Sequence, residues 1–392
     1  MNVWLVFPRF KMPTGAERFI LGLARGLVER GHAAHVATHE FDPRCAALVA
    51  PGVEVHASGR RFAWTRNHYL DSAIRYVAGM ALAWRIPAQA DVAIFFAAAS
   101  VPALACLGLR GTHTRRLYFC FEPPRFAYRD RDAILSRLGA ARHLVGPLAR
   151  LWRRIDRRWV RVADRVLVFD AFIENEVRAL YPGAALARVT PCVDVPPPTA
   201  TTPSEVRSRL GIGAAPVVLT VNFLHPRKRV DLFLATIAAL APRHPDAVGV
   251  VVGEGPERAR LEAAARALGI ESRVRFAGFV PDGELSAWYR LASVYLHTAH
   301  DESFGLTVLE AGSLGVPVVA VREGGVLETI EDGVTGVLAP AAAEALADAV
   351  HGLLAEPARA AALGDTARRR TVTRYSRARM TDELLAALVR AG

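Results

Sequence analysis

Short runs of four to six apolar, mostly β-branched residues alternate along this chain with longer segments in which Ala and Leu recur at helical spacing among Arg and Glu. Buried strands of a parallel sheet read as continuous apolar runs, and the helices that cross between them read as amphipathic stripes. The opening follows that rule: a strand over residues 3–7, a loop to Gly15, a helix over 17–30, and a second strand over 34–38 after Gly31, which supplies the helix C-cap. Further strands are predicted at 92–96, 117–121 and 166–169. A second series follows, with strands at 217–221, 249–252, 274–277, 294–297 and 316–321 and helices over about 230–241 and 256–268. Amphipathic helices run from about 341 to 390.

Between the two series lies Pro196-Pro197-Pro198-Thr199-Ala200-Thr201-Thr202-Pro203, which can form neither helix nor central strand. At 392 residues the chain also exceeds what one core usually organises. The expected architecture is therefore α/β, with two doubly wound Rossmann-like domains. They span 1–195 and 204–375 on either side of a linker at 196–203, and a last helix at 376–392 is expected to pack back on the first domain. Such a pair is expected to place its ligand cleft between facing carboxyl edges of the sheets.

Composition narrows the setting. Cys45, Cys106, Cys120 and Cys192 are scattered without Cys-x-x-Cys or metal-ligand spacing, which fits a reduced, cytoplasmic compartment and predicts no metal centre. Met1 leads directly into the first strand, so no signal peptide is expected. No apolar run reaches the roughly 18 residues that a membrane span needs. The net charge of +11 is concentrated: residues 110–165 hold 15 Arg against five acidic residues, interleaved with Phe126, Tyr128, Trp152 and Trp159. Cationic and large apolar residues together suit the anionic surface of the inner face of a membrane, so a peripheral position is expected. No nucleic-acid-binding module is visible, and nucleic acid is not an expected partner.

The most informative segment is Glu302-Ser303-Phe304-Gly305-Leu306-Thr307-Val308-Leu309-Glu310. A helix starting near Leu306 would turn the amide N–H groups of Phe304, Gly305 and Leu306 toward an anion such as a diphosphate. Glu302 would then lie at its mouth and Glu310 about a turn deeper, able to grip different hydroxyls of one elongated ligand. Taken singly, either carboxylate could merely complement the helix macrodipole; the pair around Phe304-Gly305 reads as a site. At 225–229 a strand-to-helix junction carries His225, Arg227, Lys228 and Arg229. Lys228 is one of only two lysines beside 47 arginines, which suggests a compact point charge placed for a leaving diphosphate. Gly15 opens the first helix where backbone can approach a phosphate or sugar. Gly253 and Val280 end further strands, and Glu122 and Arg125 follow the strand at 117–121. Asp130-Arg131-Asp132 imitates a metal-binding pair but reads as a solvated face.

The paired-glutamate spacing, with Gly15-Ala16-Glu17 and Val189-Thr190-Pro191-Cys192-Val193-Asp194, resembles family 4 glycosyltransferases, which have the GT-B fold. The resemblance implies a retaining hexosyl transfer, mannose or glucose, from a nucleoside diphosphate-sugar to a lipid-linked or glycan acceptor. It further implies no cofactor and no obligatory metal. Glu302 and Lys228 would be catalytic; Glu310, Phe304, Gly305, Leu306, Gly15, Arg227, Arg229, Gly253 and Val280 would bind the donor, and Glu122 and Arg125 would face the acceptor. The chain departs from the pattern at Thr14 for a Gly, at Phe223 where an Arg precedes the Lys by five positions, and at Phe121 where relatives carry His. A sugar-nucleotide epimerase of the same bilobal fold, and a non-enzymatic binder of anionic membranes, are the alternatives.

Overall fold

The computed structural model describes residues 1–13, 15–59, 78–124, 127–129, 142–194 and 199–389. Arg125, Phe126, the Asp130–Asp132 pair, Thr14 and residues 195–198 lie outside them. The chain divides into two compact units, Met1–Cys192 with Arg377–Gly392, and Val193–Ser376.

The first unit is built on a seven-stranded parallel sheet. Its strands run in the order Val53–Ala57, Ala33–Thr38, Asn2–Val6, Val92–Phe96, Arg115–Phe119, Arg165–Val168, Leu186–Arg188. Every residue of Val92–Phe96 is buried, as a central parallel strand covered on both faces requires. The helix Gly15–Glu29 buries Phe19, Ile20, Leu23, Ala24 and Leu27. Against it lies the C-terminal helix Arg377–Val389: a Cβ on Gly26 would stand 2.0 Å from Thr381 Oγ1, and Arg30 pairs with Asp382 at 2.7 Å. The edge strands Val53–Ala57 and Leu186–Arg188 escaped the sequence reading because they are short, partly exposed and mix charge with apolar residues.

The second unit carries a six-stranded parallel sheet in the order Val274–Gly278, Val248–Val252, Val217–Val221, Val294–His297, Val318–Val321, Val337–Ala339. Its two faces bury separate cores. Val218, Val251 and Leu296 face the helices Val230–Leu240 and Ala343–Ala355, while Val217, Leu219, Val250 and Tyr295 face Asp282–Leu291 and Leu306–Ser313. The 316–321 strand begins late, at Val318, because Pro317 has no N–H to give a ladder.

In each sheet the first strand of the unit lies in the middle, and later strands are added first on one side and then on the other. That order creates a switch point, where two neighbouring loops leave the carboxyl ends in opposite directions and open a crevice. In the second unit the strands are Val217–Val221 and Val294–His297, so the loops are 222–229 and 298–305.

Candidate active site

Those two loops carry Lys228 and Glu302. Hydrogen bonds stitch them together: His300 N–H donates to Arg227 O at 2.8 Å, and the Thr298 hydroxyl donates to Lys228 O at 2.9 Å. Across the junction Lys228 Nζ donates to Glu302 Oε1 at 2.7 Å, and His297 Nε2 lies 3.1 Å from the other carboxylate oxygen. His297 is fully buried, whereas the Lys228 and Glu302 side chains are each about a quarter exposed. Burial by itself would raise the Glu302 carboxyl; the Lys228 ammonium and the bond from His297 outweigh it and hold the group well below the usual carboxylate range. Glu302 is thus an anion kept in place by a cation, with an open side.

The Glu302 backbone is clamped as well. Gly325 N–H donates to Glu302 O at 2.8 Å, and a Cβ on Gly324 would lie 2.6 Å from that same oxygen, so the turn at 323–325 can close only on glycine. Glu323 leads this turn and receives Arg229 at 3.0 Å and His300 Nδ1 at 2.9 Å. Burial would raise its carboxyl, but His300 and Arg229 lower it overall. Arg229 adopts a left-handed backbone at φ 44°, as does Asp301 at φ 45°. Both loops of one switch point thus carry a strained non-glycine residue, which the surrounding contacts must hold in place.

The helix Leu306–Ser313 starts where its sequence predicts. Gly305 is its left-handed N-cap at φ 76°, with Val326 Cγ1 2.8 Å from where a Cβ would stand. Phe304 is buried edge-on against Tyr375, at 5.8 Å between ring centres, and fixes the approach to the helix. Leu306 is half-buried. One turn in, Glu310 Oε2 accepts from the buried Tyr289 hydroxyl at 2.6 Å. Arg227 is half-buried at the mouth of the loop, and Phe223 is 48% exposed. Gly253 has a packing reason of its own: a Cβ there would fall 1.8 Å from Asn222 O, so glycine lets two strand ends meet. The Val280 side chain is buried in the core.

In the first unit, Gly15 opens its helix beside Pro13, whose carbonyl accepts from Arg18 Nε at 3.0 Å. Glu122 is half-buried after the strand Arg115–Phe119. Around it the carboxyl edge of the sheet is aromatic. Phe19, Phe96, Phe119, Phe121 and Phe169 form one cluster, with Phe121 stacked on Phe169 at 5.0 Å. Ala97, at φ 59°, begins the loop beside it at this sheet's own switch point.

Four residues of the second-unit site were missed in the sequence reading: His297, His300, Glu323 and Tyr289. The only available signal was the pair of histidines flanking the end of the strand at 294–297.

The model for Glycosyl transferases group 1 matches residues 204–370, and that for the Glycosyl transferase 4-like domain matches residues 14–192. The chain belongs to the family 4 glycosyltransferases. Its similarity to a GDP-mannose-dependent alpha-(1-6)-phosphatidylinositol monomannoside mannosyltransferase of Mycolicibacterium smegmatis is 38% identity over 221 residues, 53% of this chain and 57% of that one. A D-inositol 3-phosphate glycosyltransferase of Kribbella flavida is 33% identical over 222 residues, 53% of this chain and 52% of the relative. The chain spans about half the length of the curated relatives it matches. Among solved structures, sucrose-phosphate synthase from Thermosynechococcus elongatus aligns with TM-score 0.79 at 20% identity, over 100% of this chain and 99% of that one. The Anabaena protein HepE in complex with UDP and glucose aligns with TM-score 0.75 at 19% identity, over 99% and 100%. The fold is GT-B.

Proposed function

We propose that this family 4 glycosyltransferase moves a hexose, mannose or glucose, from a nucleoside diphosphate-sugar to a glycolipid or glycan acceptor with retention of configuration. One observation carries the reading: at the switch point of the second sheet, Lys228 holds Glu302 in the ionised state at the mouth of the helix that bears Glu310. In this reading Lys228 and the first amides of Leu306–Ser313 receive the diphosphate, where negative charge builds up as the sugar leaves. Glu302 accepts hydrogen bonds from the sugar hydroxyls, and Glu310, oriented by Tyr289, takes those of the ribose. Arg227 and Arg229 add positive charge on the loop that follows Phe223. In the first unit, Gly15 and Glu122 are the candidate ligand contacts. The relative that uses GDP-mannose on a phosphatidylinositol mannoside favours mannose and a lipid-linked acceptor; the likeness to a protein solved with UDP leaves the base to experiment.

A peripheral position on an anionic membrane belongs to the same reading. No helix among the described residues is long and apolar enough to cross a membrane. The helix Arg142–Val160 exposes Leu148 and Leu151 beside the exposed Arg150, Arg154 and Arg158, and its buried Asp156 accepts from both Tyr128 and Tyr181 at 2.7 Å. An exposed apolar and cationic stripe on an anchored helix suits an anionic headgroup layer.

Calorimetric titration with GDP and UDP, followed by a transfer assay with the matching sugar nucleotides, tests the proposal. Saturable binding of one nucleoside diphosphate that is lost in Lys228→Ala supports it. Absence of binding to either, or binding unchanged in that variant, overturns the donor assignment.

A further inference from the structure

The outermost strands of the first sheet bring together a second group of chemically capable side chains. The parallel register aligns Trp4 with His35 and His35 with Glu54 across three neighbouring strands, and His56 follows Glu54 by two residues on the same face. His35 Nδ1 lies 3.1 Å from Glu54 Oε2 and 3.2 Å from His56 Nε2, and the carboxylate oxygen lies 3.6 Å from that Nε2. We propose that His35, Glu54 and His56 bind a divalent transition-metal ion of the zinc class.

The triangle is the argument. A tetrahedral zinc ion bonds imidazole nitrogen and carboxylate oxygen at about 2.0–2.2 Å, which sets neighbouring donor atoms roughly 3.3–3.5 Å apart. The three sides observed here fall around that spacing, so one ion on the open side of the triangle reaches all three atoms. Two histidines with one carboxylate is a donor set that zinc and its neighbours in the first transition row favour. The rings are held in position: the Trp4 indole stacks on His35 at 4.8 Å and on His56 at 4.7 Å between centres. The Glu54 side chain is 65% exposed, which leaves a fourth position for water. Arg85 places its charge on His56 and opposes the cation, so the site is weaker than a closed structural zinc site.

The second unit offers a useful contrast. His300, Asp301 and Glu323 also come close together, but His300 meets Glu323 through Nδ1 and Asp301 through Nε2, opposite edges of the ring, and the Arg229 guanidinium already sits against Glu323. One ion cannot take both nitrogens there. An ion on His35, Glu54 and His56 ties the edge strand Val53–Ala57 to its neighbour, which makes its role one of stability.

The test uses the full chain freed of any affinity tag, titrated with Zn2+ alone, with Co2+ as the spectroscopic probe. Expected are one equivalent of Zn2+ bound, a visible cobalt spectrum of tetrahedral type, and a rise in melting temperature on adding Zn2+. Glu54→Ala and His56→Ala, both at exposed or half-exposed positions and checked for folding by circular dichroism, are each expected to weaken binding at least about tenfold and to abolish the thermal shift. A wild-type chain that takes up no Zn2+, or variants that bind it as tightly as wild type, overturns the site.

Discussion

The two sheets share one topology, yet their carboxyl edges have opposite chemistry. In the second unit the switch point is lined by ions: Lys228 with Glu302, and Arg229 with Glu323 and His300. In the first unit the corresponding edge is a cluster of five phenylalanines, of which Phe121 is half-buried. A common backbone plan thus supplies two crevices, and the side chains at the strand ends decide what each can hold. Charges fixed in place suit a diphosphate, whose ionic groups must leave water for equally strong partners. In the aromatic cluster Phe19, Phe96, Phe119 and Phe169 are buried, so only Phe121 presents a ring at that edge, for apolar contact rather than ion pairing. On the proposed function, the unit with the ions receives the activated donor and the aromatic unit faces the acceptor.

If the aromatic edge is a packing unit, breaking its centre should give the largest effect on stability. Phe119 is fully buried and touches Phe19, Phe96, Phe121 and Phe169. Phe119→Ala is expected to cost about 3–5 kcal/mol, as large-to-small changes in a well-packed core do. Chemical denaturation followed by circular dichroism reads the loss, and a cost below about 1 kcal/mol would mean that the cluster is loosely packed.

The ionic edge should answer in activity rather than stability. Lys228→Ala removes a charged hydrogen bond worth roughly 1.5–3 kcal/mol, which corresponds to a fall in turnover of at least about tenfold at saturating donor. Glu302→Ala should do the same. Because both side chains are partly exposed, either variant should still fold, with only a modest fall in the denaturation midpoint at neutral pH from the lost pair. Turnover at the wild-type level in either variant would remove that residue from the reaction.

Acid should separate the two edges further. The folded state holds the Glu302 carboxyl below its ordinary value of about 4.5, so the protein gains stability from it above about pH 4.5 and loses that share as the pH falls further. Glu323 acts in the same direction. Glu302→Gln should therefore flatten the dependence of stability on pH below about 4.5, with little change in its slope near neutrality. Denaturation midpoints collected from pH 3 to pH 7 check this; an unchanged acid slope would mean that the Lys228 pair contributes nothing to folding.

How much of this could be read from the residues differs between local and distant features. The central strands were legible because burial on both faces demands continuous runs rich in β-branched residues, as in Val217–Val221 and Val248–Val252. The start of the helix at Leu306 was legible because Gly305 provides the left-handed cap. Lys228 and Glu302 could be named separately, but their ion pair spans 74 positions and depends on strand order, which no local pattern records. Tyr289 was hidden for the same reason: an apolar helix position revealed nothing of its bond to Glu310. His35, Glu54 and His56 lie on strands whose pairing the sequence did not announce, so a search for clustered ligands passed over them. Gly253 illustrates the converse, since a glycine read for ligand contact has a sufficient cause in the close carbonyl of Asn222.

The smallest effect concerns Arg229, where charge and strain can be parted. Its φ of 44° puts a residue with a Cβ in a region that glycine occupies freely, and relief of that strain is worth on the order of 1 kcal/mol. The guanidinium in turn pairs with Glu323 at 3.0 Å, a partly exposed interaction worth roughly 0–1 kcal/mol. Arg229→Gly removes both, so the melting temperature should move by no more than a few degrees in either direction. Arg229→Ala loses the pair and keeps much of the strain, so it should be the less stable of the two. Their activities should nevertheless agree, because each lacks the guanidinium that pairs with Glu323. If the glycine variant works at the wild-type rate while the alanine variant fails, Arg229 serves the reaction through its backbone alone, and the positive charge at this edge narrows to Lys228 and Arg227.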